Sequence, residues 1–112
     1  MCDLADDDWR RIKAYYYGMV SLIDKNVGRM MDVLRQRGLL DNTLIVFNSD
    51  HGENLGDHRL LFKGTTFDCV TTVPLILSWS GWAEPGEARE LLCRSVDILP
   101  SLVQLGGARA PE

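Results

Sequence analysis

The chain has 112 residues, a formal net charge of −4 and 46% hydrophobic residues, which suits one small globular domain with a modest core. The acidic balance argues against a nucleic-acid partner, because phosphate binding needs clustered Lys and Arg, and Arg10-Arg11-Ile12-Lys13 lies beside Asp6-Asp7-Asp8 as a solvated helix start. No apolar run approaches the roughly 20 residues that span a bilayer, and Met1-Cys2-Asp3-Leu4-Ala5-Asp6 is acidic where a signal peptide would be basic, so no membrane partner is expected.

Residues 8–37 read as one long helix. Ile12, Tyr16, Met19, Val20, Ile23, Val27, Met30, Met31 and Leu34 recur mostly at spacings of three and four and form one apolar stripe. Asp6, Asp7 and Asp8 offer N-caps and favourable charge at the positive helix end, and Gly38 is a natural terminator. Gly18 and Gly28 lie inside the pattern, where close packing on a sheet would account for them. Asp41-Asn42-Thr43 is a turn. Residues 44–48 then form an apolar run, predicted as a strand covered on both faces, as in a parallel sheet between helices. Residues 49–72 are rich in Gly, Asp, His and Thr without a clear period, and a loop this long in a compact domain is usually functional. Residues 73–79 form a second strand and 80–86 a loop. Residues 96–105 form a short helix with Ser95 or Asp97 as cap, Pro100 in the first turn and Gly106-Gly107 at its end. The order is α/β, with the strands as neighbours and the long helix across one face.

The cysteines are Cys2, Cys69 and Cys93. An odd count with wide spacing gives neither a disulfide framework nor a zinc pattern. Three free thiols in a reducing compartment, which favours the cytoplasm, is the preferred expectation, and a Cys69–Cys93 bridge is the alternative.

Asp50 and His51 directly follow the first strand. Ligands in open α/β sheets bind outside the carboxyl ends of strands. A carboxylate beside an imidazole offers O and N ligands to one divalent cation if the backbone turns sharply, as Gly52 permits. A bare Asp-His pair is otherwise an N-capping Asp followed by a surface His.

The whole stretch Leu44-Ile45-Val46-Phe47-Asn48-Ser49-Asp50-His51-Gly52-Glu53-Asn54-Leu55-Gly56-Asp57-His58, with Lys63 after it, resembles the sulfatase family of the alkaline-phosphatase superfamily. The likeness extends back to Leu22-Ile23-Asp24-Lys25-Asn26-Val27-Gly28 and Gly38-Leu39-Leu40-Asp41-Asn42-Thr43. It extends forward to Val73-Pro74-Leu75-Ile76 and Ser95-Val96-Asp97-Ile98-Leu99-Pro100-Ser101-Leu102. The resemblance implies an alkaline-phosphatase-like α/β/α sandwich and a sulfate or phosphate ester substrate in the full-length parent. It also implies one active-site cation, usually calcium and sometimes magnesium or manganese, with Asp50 and His51 among its ligands. Calcium prefers oxygen ligands and imidazole suits manganese better. Lys63 would reach the ester's anionic oxygens and offset charge on the leaving oxygen. His58 is a candidate general acid, or else a loop residue that holds the segment. Glu53 and Asp57 are expected to bond loop amides, and Asp24 to pack toward the sheet edge or cap a neighbouring turn.

Full-length members carry a cysteine in a Cys-x-Pro/Ala-Ser-Arg motif that is converted to formylglycine, the nucleophile. Here Cys69 precedes Val70-Thr71-Thr72 and Cys93 precedes Arg94-Ser95-Val96, so this cofactor is not encoded. The family's paired N-terminal aspartates are missing as well. Residues 1–112 therefore read as a single C-terminal piece of a sulfatase-like domain, expected to be inactive alone because the covalent route needs an activated nucleophile. Its exposed sheet edge and apolar stripe are expected to draw it into a homodimer. Two other functions fit the same residues. One is a fragment of a phosphonate monoester or phosphodiester hydrolase. The other is a non-catalytic association module.

Overall fold

The computed structural model describes residues 3–82 and 84–109. Helix α1 spans Asp6–Gln36, and a 3-10 turn at Leu40–Asn42 leads into strand β1, Ile45–Asn48. A long irregular segment follows, holding a 3-10 turn at Asp57–Arg59 and one helical turn, α2, at Asp68–Thr71. Strand β2 is Leu75–Ser78, and helix α3 is Ser95–Leu105.

Helix α1 begins two residues before the predicted start. Its N-cap is Ala5, and Asp8 returns from the first turn to accept a hydrogen bond from the Ala5 amide at 3.3 Å. The aspartates thus act from inside the helix, where their charge also opposes the positive end of the dipole. The other end closes as the sequence predicts. Gly38 takes φ +65°, its amide donates to Arg35 O, and the Leu39 amide donates to Leu34 O at 2.9 Å. That pair is a Schellman closure, which a glycine at this position permits. Helix α3 ends in the same way: Gly107 has φ +78° and the Ala108 amide donates to Val103 O. Its N-cap is Arg94, whose amide donates to Asp97 Oδ2 at 3.0 Å. Pro100 lies in the second turn of α3, not the first. There it removes one helix hydrogen bond.

Both strands fall where the apolar runs predict them, and they pair. The expected parallel arrangement is corrected: β1 and β2 are antiparallel, with Ile45 opposite Ser78 and Asn48 opposite Leu75. A parallel pair needs a crossover that carries the chain back to the starting end. Here the connection leaves Asn48 and re-enters at Leu75, its register partner, so residues 49–74 form one excursion from a single end of a two-stranded ribbon.

The expectation of coverage on both faces is corrected too. Every residue of β2 is exposed, and β1 is half-buried only at Ile45 and Val46. Two strands and one helix cannot enclose an apolar ribbon from both sides. Helix α1 has no fully buried residue. Its stripe is half-buried at Ile12, Tyr16, Val27, Met31 and Leu34 and open at Met19, Val20, Ile23 and Met30. Gly18 and Gly28 face open space, so close packing does not explain them, and Asp24 is exposed. The helix is tied to the rest near its start. The indole of Trp9 packs against Gly56, where an added Cβ would stand 3.1 Å from Trp9 Cε3, and Arg59 pairs with Asp3 at 3.7 Å. Among the described residues the two buried residues, Asn54 and Val70, both belong to the irregular segment, and only Asn54 is fully enclosed.

Candidate active site

The site is built where β1 ends. Ser49 Oγ donates to His51 O at 2.8 Å, and the His51 amide donates to Asp50 Oδ1 at 3.0 Å. These local bonds fold the chain into a tight turn immediately after the strand. Gly52 continues it, donating its amide to Val70 O at 2.7 Å. A Cβ added at Gly52 would collide with the backbone carbonyl of Cys69, so only glycine fits this approach. The turn is thereby pressed against α2.

His51 is fixed at both ring nitrogens. Nδ1 lies 2.8 Å from Gly52 O. A carbonyl only accepts, so Nδ1 carries the proton and Nε2 presents its lone pair. That lone pair faces Lys63 Nζ at 2.7 Å, and Asp50 Oδ2 stands 3.5 Å from the same nitrogen. The His51 side chain is 28% exposed and that of Asp50 84%, so the cluster is anchored on its imidazole side and open on its carboxylate side. Three predicted site residues, Asp50, His51 and Lys63, therefore meet around one atom.

His58 is placed elsewhere. It occupies the 3-10 turn with φ +53°, and its ring stacks on Phe67 with centroids 3.8 Å apart and planes 23° from parallel. None of the hydrogen bonds or ion pairs described for the cluster includes it. Glu53 departs from expectation: its Oε2 is buried without a hydrogen-bond partner. Asp57 is held through its backbone, the amide donating to Asn54 O and the carbonyl accepting from the Leu60 amide. Cys69 and Cys93 are free thiols, and Cys2 lies outside the described residues.

Asn54 was not singled out by the sequence, yet its side chain is 1% exposed. Its Nδ2 donates to Phe62 O, and its Oδ1 accepts from Thr65 Oγ1 and Cys69 Sγ, each at 3.4 Å. A polar residue in a polar loop carries no period that would mark it as buried. Only its place between Asp50-His51 and Lys63 could have drawn notice.

Among the described residues no group of three or more His, Cys, Asp or Glu side chains converges. Asp50 and His51 set a carboxylate beside an imidazole whose Nε2 lone pair is presented outward, two donor types that a divalent cation can use.

The Sulfatase family matches residues 3–108. The chain belongs to the Sulfatase family. Among curated relatives it is 36% identical over 110 residues to the choline-sulfatase of Rhizobium meliloti, covering 98% of this chain and 21% of that protein. It is 35% identical over 110 residues to the multifunctional alkaline phosphatase superfamily protein PehA of Trinickia caryophylli, covering 97% of this chain and 21% of that protein. The crystal structure of yidJ from Bacteroides fragilis, described as a sulfatase, superposes with a TM-score of 0.77 at 36% identity. The match covers 82% of this chain and 20% of that one. The chain thus spans about a fifth of the length of the relatives it matches. Its α/β arrangement is a part of the sulfatase, alkaline-phosphatase-like fold.

Proposed function

We propose that this chain carries part of the active site of a metal-dependent sulfuric ester hydrolase, with Asp50 and His51 as cation ligands and Lys63 as the residue that meets the ester's anionic oxygens. The supporting observation is the convergence of Asp50 Oδ2 and Lys63 Nζ on the His51 Nε2 lone pair at the end of β1. The donor set fits a hard or borderline divalent cation. The carboxylate suits calcium or magnesium, and the imidazole tilts the choice toward manganese. Such a cation, when bound, polarises the ester oxygens and offsets developing negative charge. The chain's own residues do the rest. Gly52 O fixes the His51 tautomer. Lys63 Nζ lies against the Nε2 lone pair that Asp50 and His51 would offer a cation, so with a cation held there its ammonium would be free to face an anion. His58 remains a candidate acid for the leaving group, from a ring position set by Phe67.

A choline-sulfatase among the relatives favours a sulfate ester. A phosphonate monoester or phosphodiester is the second substrate class, because the Asp50-His51 pair and the Leu55-Gly56-Asp57-His58 to Lys63 spacing fit it equally. The isolated chain is proposed to turn over neither, because no Cys-x-Pro/Ala-Ser-Arg segment is present to supply the nucleophile.

Manganese titration of the isotope-labelled chain tests the ligand assignment by NMR. Paramagnetic broadening should reach the Asp50 and His51 signals first, and Asp50→Ala should weaken binding by about tenfold, or ~1.4 kcal/mol. Broadening centred on Asp6, Asp7 and Asp8 instead would refute the assignment. Hydrolysis of an aryl sulfate should stay at background. Turnover that vanishes in Asp50→Ala would show that the chain needs no formylglycine.

A further inference from the structure

We infer that Asn54 is the positioning residue of this site: its buried amide holds the backbone beside Lys63 so that the ammonium reaches His51. Asn54 has the most buried side chain among the described residues, and it has no apolar role to explain that. A buried amide in a chain with so little core is retained only when its hydrogen bonds are met. They are met by three points on the returning arm of the loop. Nδ2 donates to the carbonyl of Phe62, the residue before Lys63. Oδ1 accepts from Thr65 and Cys69. Asn54 itself follows the Asp50–Gly52 turn within four residues. One side chain therefore bridges the strand-end arm, which carries Asp50 and His51, to the arm that carries Lys63.

The rest of the loop does not perform this task. The Gly52–Val70 bond ties the turn to α2, beyond Lys63. The Leu55–Leu61 and Gly56–Leu60 backbone bonds close the intervening excursion, before Lys63. The Lys63 side chain is long and flexible, and residue 63 is exposed. Without a fixed backbone its ammonium would sample solvent. The arm to Phe62 is the one adjacent to it, so the donor Nδ2 carries the positioning, and the two bonds to Oδ1 secure the amide's orientation.

The importance of this clamp for hydrolysis rests on the proposed roles of Asp50, His51 and Lys63, but its test needs neither metal nor ester. Lysine acylation followed by mass spectrometry reads the Nζ–Nε2 contact, with Lys13 and Lys25 on α1 as internal standards. Asn54→Leu keeps the branched shape and removes both the Nδ2 donor and the Oδ1 acceptor. It should raise Lys63 labelling roughly tenfold relative to Lys25, the ratio expected when one buried hydrogen bond of ordinary strength is lost. Thr65→Val and Cys69→Ala leave Nδ2 intact and should change labelling much less. The NMR signature separates positioning from general loosening. In Asn54→Leu the His51 Nε2 resonance at fixed pH should move to its position in Lys63→Met, while Nδ1 and the Gly52 amide keep their wild-type shifts. Loss of the Gly52 and Nδ1 signatures together with Nε2 would mean that Asn54 only holds the fold, and would overturn the assignment. So would unchanged Lys63 labelling in Asn54→Leu, or a wild-type chain in which Lys63 labels as fast as Lys25.

Discussion

The polar loop, residues 49–72, and helix α1 are held in opposite ways. The helix satisfies its backbone within itself, and its side chains gain little from the rest of the chain: no residue in it is fully buried, and Tyr15, Met30 and Leu22 are well over half exposed. The loop has almost no regular structure, so its amides find partners across the chain, Gly52 on Val70, Leu55 on Leu61 and Gly56 on Leu60. It contains both buried residues among those described, Asn54 and Val70. The element that looks strongest in sequence therefore contributes little to tertiary structure here, and the segment without a period carries most of it. Helix stability in proteins comes mainly from packing an apolar face. In α1 that packing is confined to the half-buried positions along the stripe and to the Trp9 contact with Gly56. The loop's organisation brings Asp50, His51 and Lys63 together from two arms.

The most severe way to break this contrast is Gly52→Ala. The new methyl would collide with the Cys69 carbonyl, a backbone atom that cannot step aside without moving α2. Overpacking of this kind costs about 3 kcal/mol at the upper end of its usual range. Hydrogen exchange should show protection lost throughout residues 49–72, while α1 keeps its helical circular dichroism. Equal loss in both regions would mean that loop and helix fold as one unit.

A smaller effect tests the joint between the two regions. Trp9→Ala removes the indole from Gly56 and should destabilise the loop by about 2 kcal/mol, less than a fully buried aromatic would cost. Ile23→Ala, at a stripe position 53% exposed, should fall within about 0.5 kcal/mol of wild type. Chemical denaturation followed at the loop compares them directly. A larger cost at Ile23 than at Trp9 would show that the stripe is covered in solution, as pairing of two copies through that face would cover it.

The parts of the structure that repeat were legible in the sequence, and the parts that do not repeat were not. The helical stripe, the two apolar runs and the glycines at 38 and 107 located α1, β1, β2 and α3 to within a few residues, whereas α2 lies inside the segment read as a loop. Strand direction was not legible. An unbroken apolar run such as Leu44 to Phe47 signals burial on both faces, and in this chain alone nothing supplies the second layer. The site was legible in its residue types, Asp50, His51 and Lys63, because a recognisable ordered set carries them. Its support was not, since Asn54, Trp9 and Phe67 act through contacts between irregular segments that no period encodes.

The smallest expected effect lies in α3, whose first turn, like that of α1, is closed by an aspartate that accepts from the N-cap amide. Arg94 donates to Asp97 from its amide at 3.0 Å and from its guanidinium at 3.2 Å. The guanidinium hydrogen bond, with the amide bond behind it, holds the Asp97 carboxyl below its ordinary range. Its folded pKa is thus lower than its unfolded one. The stabilisation is present in full above the usual Asp value, near pH 4, and is lost as pH falls through the depressed folded value. Both side chains are solvated, which keeps the effect modest and makes it salt-sensitive. NMR titration should show the Arg94 amide shifting with a midpoint below that of an ordinary aspartate, followed by fraying of the first turn of α3. In Asp97→Asn the Arg94 amide should be flat over the same range. A midpoint at or above the ordinary Asp value would mean that the pair does not form, and the first turn of α3 would then depend on its helical hydrogen bonds alone.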